Sequence, residues 1–133
     1  MRVRSSLLDV RAVGAGAVLA IVIALPAALV GEAAADGEDD PSRLVLLCFV
    51  VVLLAFVAGG WLAARRAVDA PYSNGAVAAL VGFALIQLGG VVANLVAGDP
   101  VRGASIAFSA LLATASGLVG ALLATRRPAD AGR

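Results

Sequence analysis

Four stretches, residues 13–30, 44–64, 76–97 and 104–125, hold no ionisable side chain except the thiol of Cys48. At ~1.5 Å of rise per residue, about 20 helical residues cross the roughly 30 Å hydrocarbon layer of a bilayer. A single Arg or Asp at a helix centre costs about 2.5–3.5 kcal/mol on insertion scales, and all four stretches avoid that cost. The expected fold is therefore all-α: a four-transmembrane-helix bundle forming a single integral membrane domain over residues 1–133, with spans at approximately 12–31, 43–64, 75–97 and 102–125. These spans and their short connections consume nearly the whole chain, so no soluble domain is expected.

The composition excludes several chemistries. One Cys and no His rule out an intramolecular disulfide, a C-x-x-C pair and a Cys/His metal set. Neither Ser109 nor Ser116 has a His or Lys base anywhere in the chain, so a serine nucleophile is not expected. The reading is of a non-enzyme with no catalytic, cofactor or metal residues and no cofactor. All ten basic residues are Arg, which reads most simply as the coding bias of a GC-rich bacterial genome. The acidic run Asp36-Gly37-Glu38-Asp39-Asp40 suggests a calcium loop, but its spacing does not match the EF-hand pattern, and a solvated connection accounts for it.

Charge is distributed unevenly along the chain. Arg2, Arg4 and Arg11 precede span 1, Arg65 and Arg66 follow span 2, and Arg126, Arg127 and Arg133 follow span 4, while only Arg43 and Arg102 flank the other ends. By the positive-inside rule, this partition of eight Arg against two puts both termini in the cytoplasm of a bacterial plasma membrane. Arg65, Arg66, Arg126 and Arg127 act as cytoplasmic anchors, with contact to anionic lipid head groups as a second role. Trp61 and Tyr72 fall where an aromatic belt would sit on the same side. The basic N-terminus, apolar run and Ala33-Ala34-Ala35 also resemble a signal peptide. The run is too long for an h-region and Asp9 interrupts the n-region, so a retained first span is expected.

Spans 2 and 4 share start and stop signals. Asp40-Pro41-Ser42-Arg43 opens one and Asp99-Pro100-Val101-Arg102 the other, and each closes on small residues followed by an Arg pair. Capping preferences can generate these signals by convergence, yet their recurrence one hairpin apart points to a tandem duplication of a two-helix unit. Two such units would be related by a pseudo-two-fold axis along the membrane normal. Gly98-Asp99-Pro100 supplies a tight turn that makes spans 3 and 4 antiparallel neighbours.

Inside lipid, helices associate through small residues and interhelical hydrogen bonds. Ser105, Ser109, Ala113, Gly117, Ala121 and Thr125 form an i+4 row of small residues in span 4, the expected contact seam. Gly16, Ala20 and Ala24 repeat the spacing in span 1, but Ala is so frequent that short matches arise by chance. Pro26 removes a backbone donor and is expected to kink span 1, and Cys48 to pack as a small hydrophobe. Gln87 and Asn94, seven apart on one face of span 3, each carry an amide that needs partners in hydrocarbon. Depth matching about the Asp99-Pro100 turn pairs Gln87 with Thr114 or Ser116, and Asn94 with Ser105 or Ser109, as interhelical polar contacts.

Four spans, Arg pairs ending spans 2 and 4, a small-residue-rich G-x-x-A-x-R-R ending and Asn74-Gly75 opening span 3 make up the layout. It resembles uncharacterised small four-span integral membrane proteins of actinobacteria and other Gram-positive bacteria. The resemblance implies fold and location and carries no activity. The leading functional expectation is a structural, accessory or oligomeric interaction protein. Its partners would be the lipid bilayer and a second copy or a membrane partner protein, and no nucleic acid. The alternative is a small transporter or channel. Proton-coupled exporters need a membrane-embedded carboxylate, and no Asp or Glu lies within a span.

Overall fold

The computed structural model describes residues 7–35 and 42–126. They form four helices, α1 (Val10–Ala35), α2 (Ser42–Arg66), α3 (Pro71–Ala97) and α4 (Gly103–Thr125). All four are long and apolar enough to cross a membrane. The chain is an all-α four-helix membrane bundle, and the expected acidic connection, like Arg127, lies outside the described residues.

The helix ends explain where the boundaries depart from those expected. Asp9 is the N-cap of α1: its Oδ1 accepts the N–H groups of Arg11 at 2.9 Å and Ala12 at 3.2 Å. Two of the orphan donors of the first turn are thereby satisfied. α3 begins at Pro71, four residues before the expected start, because proline at the first helical position loses no hydrogen bond. It ends in a Schellman motif, with Gly98 at φ 79°, Gly98 N–H donating to Leu95 O at 3.4 Å and Asp99 N–H to Asn94 O at 2.9 Å. Asp99 thus closes α3 rather than capping α4, whose N-cap is Arg102. The D-P-x-R opening does not work as a helix start in span 4. α1 continues through Pro26, which faces outward, to Ala35.

α2 and α3 occupy the middle of the bundle, each packed on the other and on both α1 and α4, whereas α1 and α4 do not touch among the described residues. An exact two-fold exchange of hairpins would require an α1–α4 contact to match the α2–α3 one. The packing therefore departs from the symmetry that the repeated end signals suggest.

Two ends of the bundle differ. At one, here the closed end, α1 and α3 begin and α2 and α4 finish. A Cβ on Gly16 would strike the Gly59 carbonyl and Ala63 Cβ, and a Cβ on Gly60 would strike the Gly117 backbone. Gly75 and Gly120 are equally crowded, by Ala121 and by the Val57 carbonyl. Four backbones meet there at a separation only glycine permits, the close approach that drives helix association in lipid. Toward the opposite, open end the bundle loosens around α3 and α4, where Gly89, Gly90 and Gly103 have nothing within 4 Å of a Cβ position, while α1 and α2 stay in contact through Gly31 and Cys48.

The small-residue seams follow this pattern. In α4 the expected row is buried at Ala113, Gly117 and Ala121 but opens at both ends, with Ser105 and Thr125 exposed. Gly16, Ala20 and Ala24, discounted on frequency, form the α1 seam: Ala20 and Ala24 are 0% exposed. Ala20 and Ala24 join Ala55, Phe56, Ala79 and Ala113 in the core.

Candidate functional site

Between the separated halves of the helices lies an apolar vestibule of about 280 Å³ to which all four contribute. α1 supplies Ala24, Ala28 and Gly31, and α2 supplies Cys48, Val52 and Phe56. α3 adds Phe83, Ile86 and Gln87, and α4 adds Ser109, Leu112 and Ala113. Its deep end is made by Phe56 and Phe83, whose rings meet edge to face with centroids 6.4 Å apart. Beyond them the alanine core and the glycine junction fill the space between the helices. Cys48 is buried in the wall against Gly31, as expected of a small hydrophobe.

The polar residues sort into two groups. Thr114 Oγ1 donates to Ala110 O and Ser116 Oγ to Leu112 O, both at 2.8 Å and both within α4. Hydroxyls that bond the carbonyl four residues back need no partner on another helix. Gln87, Asn94, Ser105 and Ser109 make no side-chain hydrogen bond among the described residues. The expected bonds from Gln87 to Thr114 or Ser116, and from Asn94 to Ser105 or Ser109, are therefore not formed.

The register explains this. Gly75 packs on Ala121, and Gly117 on Ala79. Eight residues beyond Ala79 and eight before Gly117, Gln87 and Ser109 fall at one level, and both line the vestibule. Thr114 is five residues from that level, roughly 7.5 Å along the axis. Depth counted from the loop alone misses this offset, and at the Gln87 level the helices have already parted.

Sequence reasoning placed Asn74 only at the opening of span 3 and missed its role; it is 1% exposed. Its Oδ1 accepts the Asp9 N–H at 2.7 Å, and its Nδ2 donates to Leu7 O at 3.0 Å and Ala70 O at 2.8 Å. The amide ties the entry of α1 to the α2–α3 connection at the closed end, with every donor and its acceptor engaged. A cleft beside it is lined by Leu7, Asp9, Arg66, Asp69 and Asn74, among others. An Asp immediately before an apolar helix is an N-cap signal, and it was the available clue that this corner is ordered.

Of the described basic residues, Arg11, Arg65, Arg66 and Arg126 lie at the closed end, and Arg43 and Arg102 lie at the open end. Arg65 places its guanidinium 4.8 Å from the centre of the Trp61 ring, Arg66 lines the cleft, and Arg126 is exposed after α4. Tyr72 and Thr125 share a hydroxyl–hydroxyl bond of 3.1 Å between the start of α3 and the end of α4. Among the described residues no three His, Cys, Asp or Glu side chains come together. No family model, curated protein or solved structure matches the chain.

Proposed function

We propose that the protein is a non-catalytic accessory or interaction protein of a bacterial plasma membrane, acting within the bilayer, with its closed end and both termini in the cytoplasm. The observation that supports this reading is the vestibule: a concavity within the apolar spans is walled mostly by hydrocarbon side chains, which suits an apolar partner better than an ion or hydrated solute. The eight-to-two Arg partition supports the orientation. The Arg65, Arg66 and Arg126 end would contact anionic lipid head groups, each basic residue near the surface contributing about 1 kcal/mol.

A small facilitator is the second reading. It is favoured by a concavity shared among all four helices, open at one end and packed at the other. Purification in mild detergent followed by native mass spectrometry separates the two. A stoichiometric protein partner or a defined oligomer is the expected result. A monomer that moves a solute across proteoliposomes would replace the accessory reading with the facilitator one.

A further inference from the structure

We propose that the vestibule binds a neutral lipophilic molecule carrying one hydrogen-bonding oxygen, which Gln87 and Ser109 hold. This assignment goes beyond the accessory and facilitator readings and depends on neither.

The wall defines the ligand. Apart from the Cys48 thiol, a weak hydrogen-bonding group, Gln87 and Ser109 are the polar side chains among its lining residues. They face one space at one level, and neither has a hydrogen-bond partner among the described residues. Thr114 and Ser116, nearer the closed end, are satisfied within α4, and of the four polar residues without a partner, Gln87 and Ser109 are the two that line the vestibule. Gln87 lies ten residues before the end of α3, roughly 15 Å along the helix, and an amide left unpaired in hydrocarbon is costly.

Neutrality follows from the same wall. Among the described residues no charged side chain lines the vestibule, so an ionic ligand would lose its hydration with no counter-charge in this wall to replace it. A volume of about 280 Å³ sits at the small end of ligand pockets, and the Phe56–Phe83 pair offers ring surfaces to an apolar body. A plain acyl chain would fill the space but leave both polar groups unpaired. An oxygen on the ligand, able to accept from the Gln87 amide and to exchange a bond with Ser109, satisfies them together.

Photolabelling of the full chain in lipid nanodiscs tests the assignment. The probes are a diazirine-bearing decanol and the matching diazirine decane, at equal mole fraction in the membrane. The alcohol should label residues 48–56 and 83–87 about fivefold more than the alkane, as one net hydrogen bond predicts. A Gln87→Leu and Ser109→Ala double variant should reduce the alcohol to the alkane level. Unlabelled decanol should displace the probe from the unmodified protein better than decane does, a readout that needs no variant to fold. Equal labelling by the two probes, or equal displacement, would make the vestibule an ordinary acyl-chain groove and overturn the proposal. So would exclusion of both probes together with crosslinks from the vestibule wall to a second copy.

Discussion

The Asn74 side chain reads the backbone on both sides of Leu8, accepting the Asp9 N–H at 2.7 Å while donating to the Leu7 carbonyl at 3.0 Å. Asp9, held in this way, caps α1 with its own carboxylate. Two residues 65 positions apart therefore share one task, setting where the first helix begins relative to the third. Replacing Asn74 with Leu leaves the Leu7 carbonyl and Asp9 N–H to find other partners, and should cost about 2–3 kcal/mol in reversible unfolding from mixed micelles. Asp9→Ala should cost about 1 kcal/mol through the lost cap. The double variant should cost less than the sum, since displacing Asp9 already forfeits its cap. Strict additivity would show that the two contacts act separately.

The glycines divide by what surrounds them, and their substitutions should divide likewise. Gly60→Ala and Gly117→Ala each push a methyl group into facing backbone, and overpacking of this kind costs about 1–3 kcal/mol. Gly89→Ala and Gly90→Ala meet nothing within 4 Å and should stabilise their helix by roughly 0.5–1 kcal/mol. Unfolding measurements on the four single variants check the contrast. A loss of stability at Gly89 or Gly90 would mean that this face is packed against something in the membrane.

The helices were legible in the sequence because hydrocarbon tolerates so few alternatives: uncharged stretches of the right length must satisfy their backbone internally. Helix–helix contact was less legible. In a chain this rich in Ala, Gly16 and Ala20 carry the same spacing signal as exposed small residues, and only the facing residues, Gly59 and Ala63, distinguish a seam from coincidence. Depth was misjudged for a similar reason. Counting from the Asp99-Pro100 turn treats α3 and α4 as level rods, whereas their contact is set near Gly75, Ala79, Gly117 and Ala121, and the helices separate from there. The contact between Asp9 and Asn74 stayed hidden because it joins residues 65 positions apart, which no local pattern specifies.

Back-bonded hydroxyls make a further expectation. Thr114→Val and Ser116→Ala remove groups that bond only their own helix, so each should change stability by no more than about 0.5 kcal/mol. Combined with Gln87→Leu in a double-mutant cycle, either should show a coupling near zero. Interhelical hydrogen bonds in membrane proteins average about 0.6 kcal/mol and reach about 1.7. A coupling in that range would restore the contact between Gln87 and the hydroxyl.

The proposed orientation depends on the charges at the closed end, and the central connection is its most sensitive point. Arg65 and Arg66 close α2 and are the only basic residues flanking the connection to α3, and Arg65 lies 4.8 Å from the Trp61 ring, where cation–π attraction would hold it at the interface. Replacing both with Gln removes the positive charge that retains this connection in the cytoplasm and should give mixed orientation of a reporter fused after Pro71. Arg65→Lys with Arg66→Lys keeps the charge but not the planar guanidinium, and should keep a uniform cytoplasmic reporter. A cysteine placed at Gly37 supplies the opposite check, reacting with an impermeant thiol reagent in intact cells. Labelling only after lysis would reverse the orientation. If the Gln variant stays uniform, the flanking helices fix the hairpin, and the Arg pair is left to lipid or partner contact.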